Sequence, residues 1–178
     1  MKSRSPLLAL PLSLLLLSCD NSGGTTTPGE GGSSAGGGID ISLPNTVGEL
    51  VSPSASADHE VFVLAFWATW CQPCQQELTK MGGMYEKMKT RGLHIYGISI
   101  DGPDTASQVV PWVEREGYPF PILLDRETQV LTRFNPRGDI PYYVVLDAKG
   151  KTLKDHQGYM TGDMEELEQF LDEVLPKS

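Results

Sequence analysis

Two thiols carry the candidate chemistry: Cys71 and Cys74, separated by Gln72-Pro73. An apolar run, Val61-Phe62-Val63-Leu64-Ala65-Phe66, comes just before them. It is rich in β-branched and aromatic residues and predicts a buried strand. Beyond Cys74, Leu78, Met81, Met84, Tyr85 and Met88 recur at spacings of three and four, which predicts a helix. The cysteines therefore stand where a strand turns into a helix. A helix N-terminus offers partial positive charge and unpaired N–H groups, and both favour a thiolate. Cys71, at the outer edge, is expected to have a lowered pKa and act as the nucleophile. Cys74, one turn further in, is expected to be more buried and to act as the resolving thiol. Pro73 suits the first helical turn, where its missing N–H has no partner to lose.

Two other readings of this spacing are weaker. A zinc site needs four ligands. The only other cysteine is Cys19, and His59, His94 and His156 are scattered singly. A purely structural disulfide is seldom placed at a strand–helix turn behind two tryptophans, here Trp67 and Trp70. Redox chemistry is the preferred reading, with no metal expected.

The elements that must position the pair lie on both sides of it. Gly92 looks like the stop of the cysteine helix. Leu93 to Ile100 reads as a central parallel strand covered on both faces. Thr105 to Glu116 reads as a helix with Val109, Val110, Trp112 and Val113 inward, kinked or restarted at Pro111. Phe120 to Leu124 is a short strand, Glu127 to Phe134 a short helix, and Tyr142 to Asp147 a strand. Ala148 to Lys151 forms a hairpin turn into a last strand, Thr152 to Tyr159. Asp163-Met164-Glu165-Glu166 resembles a capping box for a closing helix. Its inward face is Met164, Leu167, Phe170, Leu171 and Val174. Upstream, Ile39, Ile41 and Leu43 alternate with polar residues as a short edge strand would, and 52–56 reads as loop.

The first residues read as targeting rather than fold. Lys2 and Arg4 precede an apolar stretch, Leu7 to Leu17, too short to span a membrane comfortably. It ends at Leu16-Leu17-Ser18-Cys19, which resembles a bacterial lipoprotein signal. Residues 1–18 are then the signal peptide, and Cys19 carries lipid. The lipid holds the protein on a membrane surface without spanning it. Residues 19–38, nearly all Gly, Ser and Thr after Asp20, form a flexible tether. Residues 39–178 are one domain. Losing Lys2 and Arg4 takes the net charge from −9 to −11, which disfavours nucleic acid as a partner.

Phe66-Trp67-Ala68-Thr69-Trp70-Cys71-Gln72-Pro73-Cys74 resembles the active-site signature of the thioredoxin superfamily, and more narrowly of the TlpA/ResA-type membrane-anchored thiol–disulfide oxidoreductases. The likeness continues through Gly117 to Asp125, Gly138 to Pro141 and Val144 to Gly150. It implies an α/β thioredoxin fold, a central mixed sheet flanked by helices, with an N-terminal hairpin. It also implies dithiol exchange through Cys71 and Cys74, with no bound cofactor. Pro is normally excluded from central strands, and the resemblance gives Pro141 a reason: a cis Ile140-Pro141 bond beside the cysteines. Trp70, Pro73, Ile140 and Pro141 then form the substrate-contacting set. Glu77 matches a functional Glu of ResA-like proteins; without that resemblance it reads as an exposed residue at a helix start. Two positions depart from the pattern. Ala65 stands where thioredoxin has a buried Asp, and Thr79 where the family often has Pro. The implied partners are protein disulfides, apocytochrome c among them, and a membrane thiol donor of the DsbD or CcdA type. A monomer on the extracytoplasmic side is expected. Two alternatives are weighed against this reading. A thiol peroxidase of the peroxiredoxin group needs Pro-x-x-x-Thr-x-x-Cys, which the residues before Cys71 do not supply. A Sco-like copper carrier spaces its cysteines by three residues and adds a His.

Overall fold

A computed structural model describes residues 39–177. The N-terminal segments, with Cys19, lie outside the described residues.

The sheet forms around β3 (Val61–Trp67), in which every residue is buried. It pairs in parallel with β4 (Leu93–Ser99), from Val61 opposite Leu93 to Trp67 opposite Ser99. On its other side it pairs antiparallel with β6 (Tyr142–Asp147). β5 (Ile122–Leu124) extends the β4 side, and β7 (Thr152–Gln157) the β6 side, giving the order β5-β4-β3-β6-β7. Side chains alternate across a strand, so β3 feeds two cores. Val63, Ala65 and Trp67 pack with α1 (Gln72–Met88), α2 (Ala106–Glu116) and α4 (Asp163–Val174). Phe62, Leu64 and Phe66 pack with Ile39, Ile41 and Leu131 of α3 (Gln129–Phe134). This is the mixed sheet flanked by helices that the resemblance implied.

α1 passes into a short 3-10 turn, Lys89–Arg91, that stops at Gly92. Gly92 adopts φ 96°, a left-handed conformation that glycine enters without cost. β1 (Leu43–Pro44) and β2 (Leu50–Val51) form a separate antiparallel hairpin. Asn45 ties its loop by accepting the Val47 and Glu49 N–H groups, and its backbone bridges to Leu123 at the sheet edge.

Several expectations are corrected. The N-terminal edge strand contains only Leu43–Pro44. Ile39 and Ile41 are buried but not in a ladder, because Ile41 N–H turns back onto Ile39 O at 2.7 Å. α2 runs unbroken through Pro111, and Val110 faces solvent rather than the core. β7 ends at Gln157, where Gly158 turns to φ 93° and donates to Pro141 O at 2.8 Å. No capping box forms at α4. Gly162 is the N-cap, and Asp163 instead accepts the Met160 N–H and faces His156 Nε2 at 3.0 Å. At the far end of α4 the buried residue is Leu175 rather than Val174.

Candidate active site

The cysteine turn is built from the last residue of β3 onward. Cys71 N–H closes a turn onto Ala68 O at 3.0 Å, and Gln75 N–H then takes Cys71 O at 3.2 Å. Cys71 is thus the N-cap of α1, with φ −98° and ψ 90°, and Pro73 lies in the first turn. No acidic residue occupies that turn, so no carboxylate within it offsets the positive end of the helix dipole. Cys71 is 6% exposed and Cys74 fully buried, the order expected of an attacking and a resolving thiol. The two sulfurs are bonded at 1.99 Å, so the structure is that of the oxidised pair.

Aromatic residues frame the turn. Trp70 is 62% exposed, whereas Trp67 is fully buried. β4 has Gly97 beside it, where the tight neighbour is Ile122 rather than Trp67. A Cβ there would lie 3.5 Å from Trp67 Nε1 and 2.5 Å from Ile122 Cδ1. Opposite, Ile140-Pro141 is cis and leads into β6, whose first residue Tyr142 pairs with Phe66. This register brings Pro141 to the cysteine end of the sheet. Pro141 O is occupied by Gly158 N–H and by Gln157 Nε2 at 2.9 Å. The structure therefore brings Trp70, Cys71, Pro73, Cys74, Ile140 and Pro141 to one end of the fold.

Glu77 lies one turn past Cys74 and is completely buried, not an exposed helix-start residue. Neither carboxyl oxygen has a hydrogen-bond partner. Desolvation, with a smaller contribution from the negative charge of Asp163, pushes its pKa from 4.5 up to about 8. The signal was in the periodicity: Glu77 shares a stripe with Met81, Met84 and Met88 on the inward face of α1. Tyr143, also buried, is raised in pKa by its own desolvation and then by Glu77. Thr79, standing where the family often has Pro, donates Oγ1 to Gln75 O at 2.8 Å inside an intact helix.

Asp101 was missed. The sequence shows only a turn there, yet the side chain is buried and bonded to Thr69, two residues before Cys71. The available signal was an acid just after a largely apolar central strand. His94 stacks on Phe62 at 4.8 Å. His156 stacks on Tyr143 and faces Asp163. Among the described residues no group of three His, Cys, Asp or Glu side chains is arranged to hold a metal ion.

Comparison with known proteins agrees with this architecture. The AhpC/TSA family model matches residues 38–154. The thiol-disulfide oxidoreductase ResA of Geobacillus kaustophilus is 34% identical over 113 residues, covering 64% of this chain. The match spans 62% of that relative's length. A Chlorobium tepidum structure, provisionally assigned as the thiol:disulfide interchange protein DsbE, superposes with TM-score 0.65 at 27% identity, over 78% of this chain and 96% of that one. A thioredoxin-like protein of Porphyromonas gingivalis superposes with TM-score 0.63 at 28% identity, over 76% and 89%. With a thioredoxin fold, an oxidised Cys71–Cys74 pair and ResA as a relative, the chain belongs to the AhpC/TSA family.

Proposed function

We propose that the protein is a thiol–disulfide oxidoreductase that reduces protein disulfides by dithiol exchange. The observation that carries this is the cysteine pair itself: one thiol at the surface edge of a helix N-terminus, bonded to a second that water does not reach. In the reduced protein Cys71 thiolate attacks a substrate disulfide. One substrate sulfur leaves as thiolate and the other stays bonded to Cys71. Cys74 then attacks Cys71 Sγ, the substrate leaves fully reduced, and Cys71–Cys74 is left oxidised. Two electrons pass to the substrate, and the pair itself is the redox group.

The roles of the neighbours follow from their placement. Trp70, exposed beside Cys71, and the Ile140-Pro141 segment would contact an extended substrate, whose backbone can add to the chain as a strand does. Pro73 stiffens the turn between the thiols. Glu77 would hold or release a proton as Cys74 changes state. It is the nearest titratable group along the helix, and it is pushed up to about 8.

The sequence of residues 1–38 supports an extracytoplasmic site of action: a cleaved signal, a lipid on Cys19 and a Gly/Ser/Thr tether that lets the domain reach partners near a membrane. Electrons would come from a membrane thiol donor of the DsbD or CcdA type. Apocytochrome c, whose cysteines must be reduced before haem attachment, is the substrate class that the ResA likeness favours. Leu64 and Ala68 stand where a peroxidase motif places Pro and Thr, so peroxide is disfavoured as substrate.

The test is insulin reduction by the full-length protein, with Cys74→Ser as trap. Turnover by the wild type and a mixed disulfide on Cys71 in the variant are the expected results. Rapid peroxide consumption without insulin reduction would replace this reading with the peroxidase.

A further inference from the structure

Two carboxylates are buried near the cysteine turn, and they differ in how they are bonded. Glu77 has no partner on either oxygen. Asp101 has a full set. Its Oδ1 accepts from Thr69 Oγ1 at 2.6 Å, and Thr69 N–H lies 3.2 Å from Oδ1 and 3.0 Å from Oδ2. Ser99 Oγ donates to Oδ2 at 2.9 Å and in turn accepts Asp101 N–H at 3.1 Å. Every group facing the Asp101 carboxyl is a donor, the arrangement that a carboxylate makes in its strong, charge-assisted bonds. On the other side, Gln75 Nε2 donates to Thr69 O at 2.8 Å. The N–H, hydroxyl and carbonyl of Thr69 are therefore all held.

Cys71 has no side-chain hydrogen bond of its own at the N-cap. In the oxidised protein the disulfide ring fixes its place. When that ring opens, only non-covalent links keep the sulfur over the helix end, and the dipole effect fades within one turn. The Thr69–Asp101 bonds lie outside the ring and do not depend on it.

We propose that Asp101 is a positioning residue: through Thr69 it holds the Ala68–Cys71 turn so that reduced Cys71 stays on the α1 N-terminus. This rests on the redox reading of the pair. A carboxylate has a second effect of opposite sign, since a nearby negative charge raises a thiol pKa. The two are separable. Thr69→Val removes the hydroxyl bond and leaves the charge, while Asp101→Asn keeps the shape but sets an amide NH2 against a donor.

The experiment is the pH profile of Cys71 alkylation by iodoacetamide in reduced, full-length protein, read by mass spectrometry of the Cys71 peptide. Thermal unfolding of the oxidised forms runs alongside it. The dipole at a helix end is worth up to about one pKa unit here, so Asp101→Asn is expected to raise the Cys71 midpoint by roughly half to one unit. Alkylation below the midpoint then slows about three- to ten-fold. Thr69→Val is expected to shift the same way by less, and Thr69→Ser to match the wild type. An unchanged midpoint in both Asp101→Asn and Thr69→Val overturns the proposal. So does a lowered midpoint in Asp101→Asn, which would make Asp101 a charge and not a clamp. If Asp101→Asn does not fold, the Thr69 pair decides: Val equal to Ser overturns the clamp. These thiol midpoints need no substrate. A wild type that fails to reduce insulin overturns the redox reading on separate grounds.

Discussion

Replacing Glu77 with Gln removes a charge that the core does not solvate. The side chain is fully buried, both oxygens lack partners, and its pKa is pushed up to about 8 from 4.5. An acid raised on folding is stabilising only while protonated. Below pH 4.5 folded and unfolded chains both hold the proton, and Glu77 costs nothing. Between 4.5 and about 8 the unfolded chain has lost the proton that the folded chain keeps, so stability falls by about 1.4 kcal/mol per pH unit. The loss reaches about 3 kcal/mol at pH 7 and levels off at about 5 kcal/mol above pH 8. Gln has the same shape and never ionises, and its amide is as unpartnered as the neutral acid. Denaturant unfolding of oxidised wild type and Glu77→Gln at several pH values measures the difference directly. The curves should nearly coincide near pH 4.5 and diverge in favour of the variant as pH rises. A gap that stays constant from pH 4.5 to 9 would refute the reasoning, because a buried acid with a raised pKa must make it pH-dependent.

Gly97→Ala sets a methyl group 2.5 Å from Ile122 Cδ1, which must shift to admit it; the expected cost is about 1–3 kcal/mol by denaturant titration. Asp125→Ala removes the carboxylate that accepts the Gln129, Val130 and Leu131 N–H groups at the start of α3, with an expected cost of about 1–3 kcal/mol in thermal or denaturant unfolding. Trp70→Ala strips an exposed side chain; stability should stay within about 0.5 kcal/mol while KM for a protein disulfide rises. Cys71→Ser should abolish insulin reduction with the fold retained, read by turnover and circular dichroism.

The strand–turn–helix around the cysteines was legible because its signals are local. A continuous apolar run made β3, and a three-and-four stripe of Leu and Met made α1. Glu77 lies on the same stripe, but a charged residue near a helix start reads as exposed, and only the family resemblance marks it. Asp101 was not legible. Its partner Thr69 is 32 residues away, and the two meet because β3 and β4 pair in the register Trp67 opposite Ser99. Composition and periodicity do not encode that register. Pro111 misled for a related reason. A local rule gave a break at Pro111, but the helix continues through it, with Val109 buried and Trp112 half-buried against the core. The capping box at α4 failed because Asp163 takes partners just upstream of the helix, in Met160 N–H and His156.

The central claim is that Cys71–Cys74 acts as a reducing dithiol, and the reduction potential of that pair tests it most directly. Full-length protein would be equilibrated against graded thiol–disulfide buffers at pH 7 and the reduced fraction quantified by alkylation. A reducing dithiol should give a value near the thioredoxin range, about −270 mV. A value near about −120 mV, the range of strong oxidants, would contradict it and make the protein a donor of disulfides.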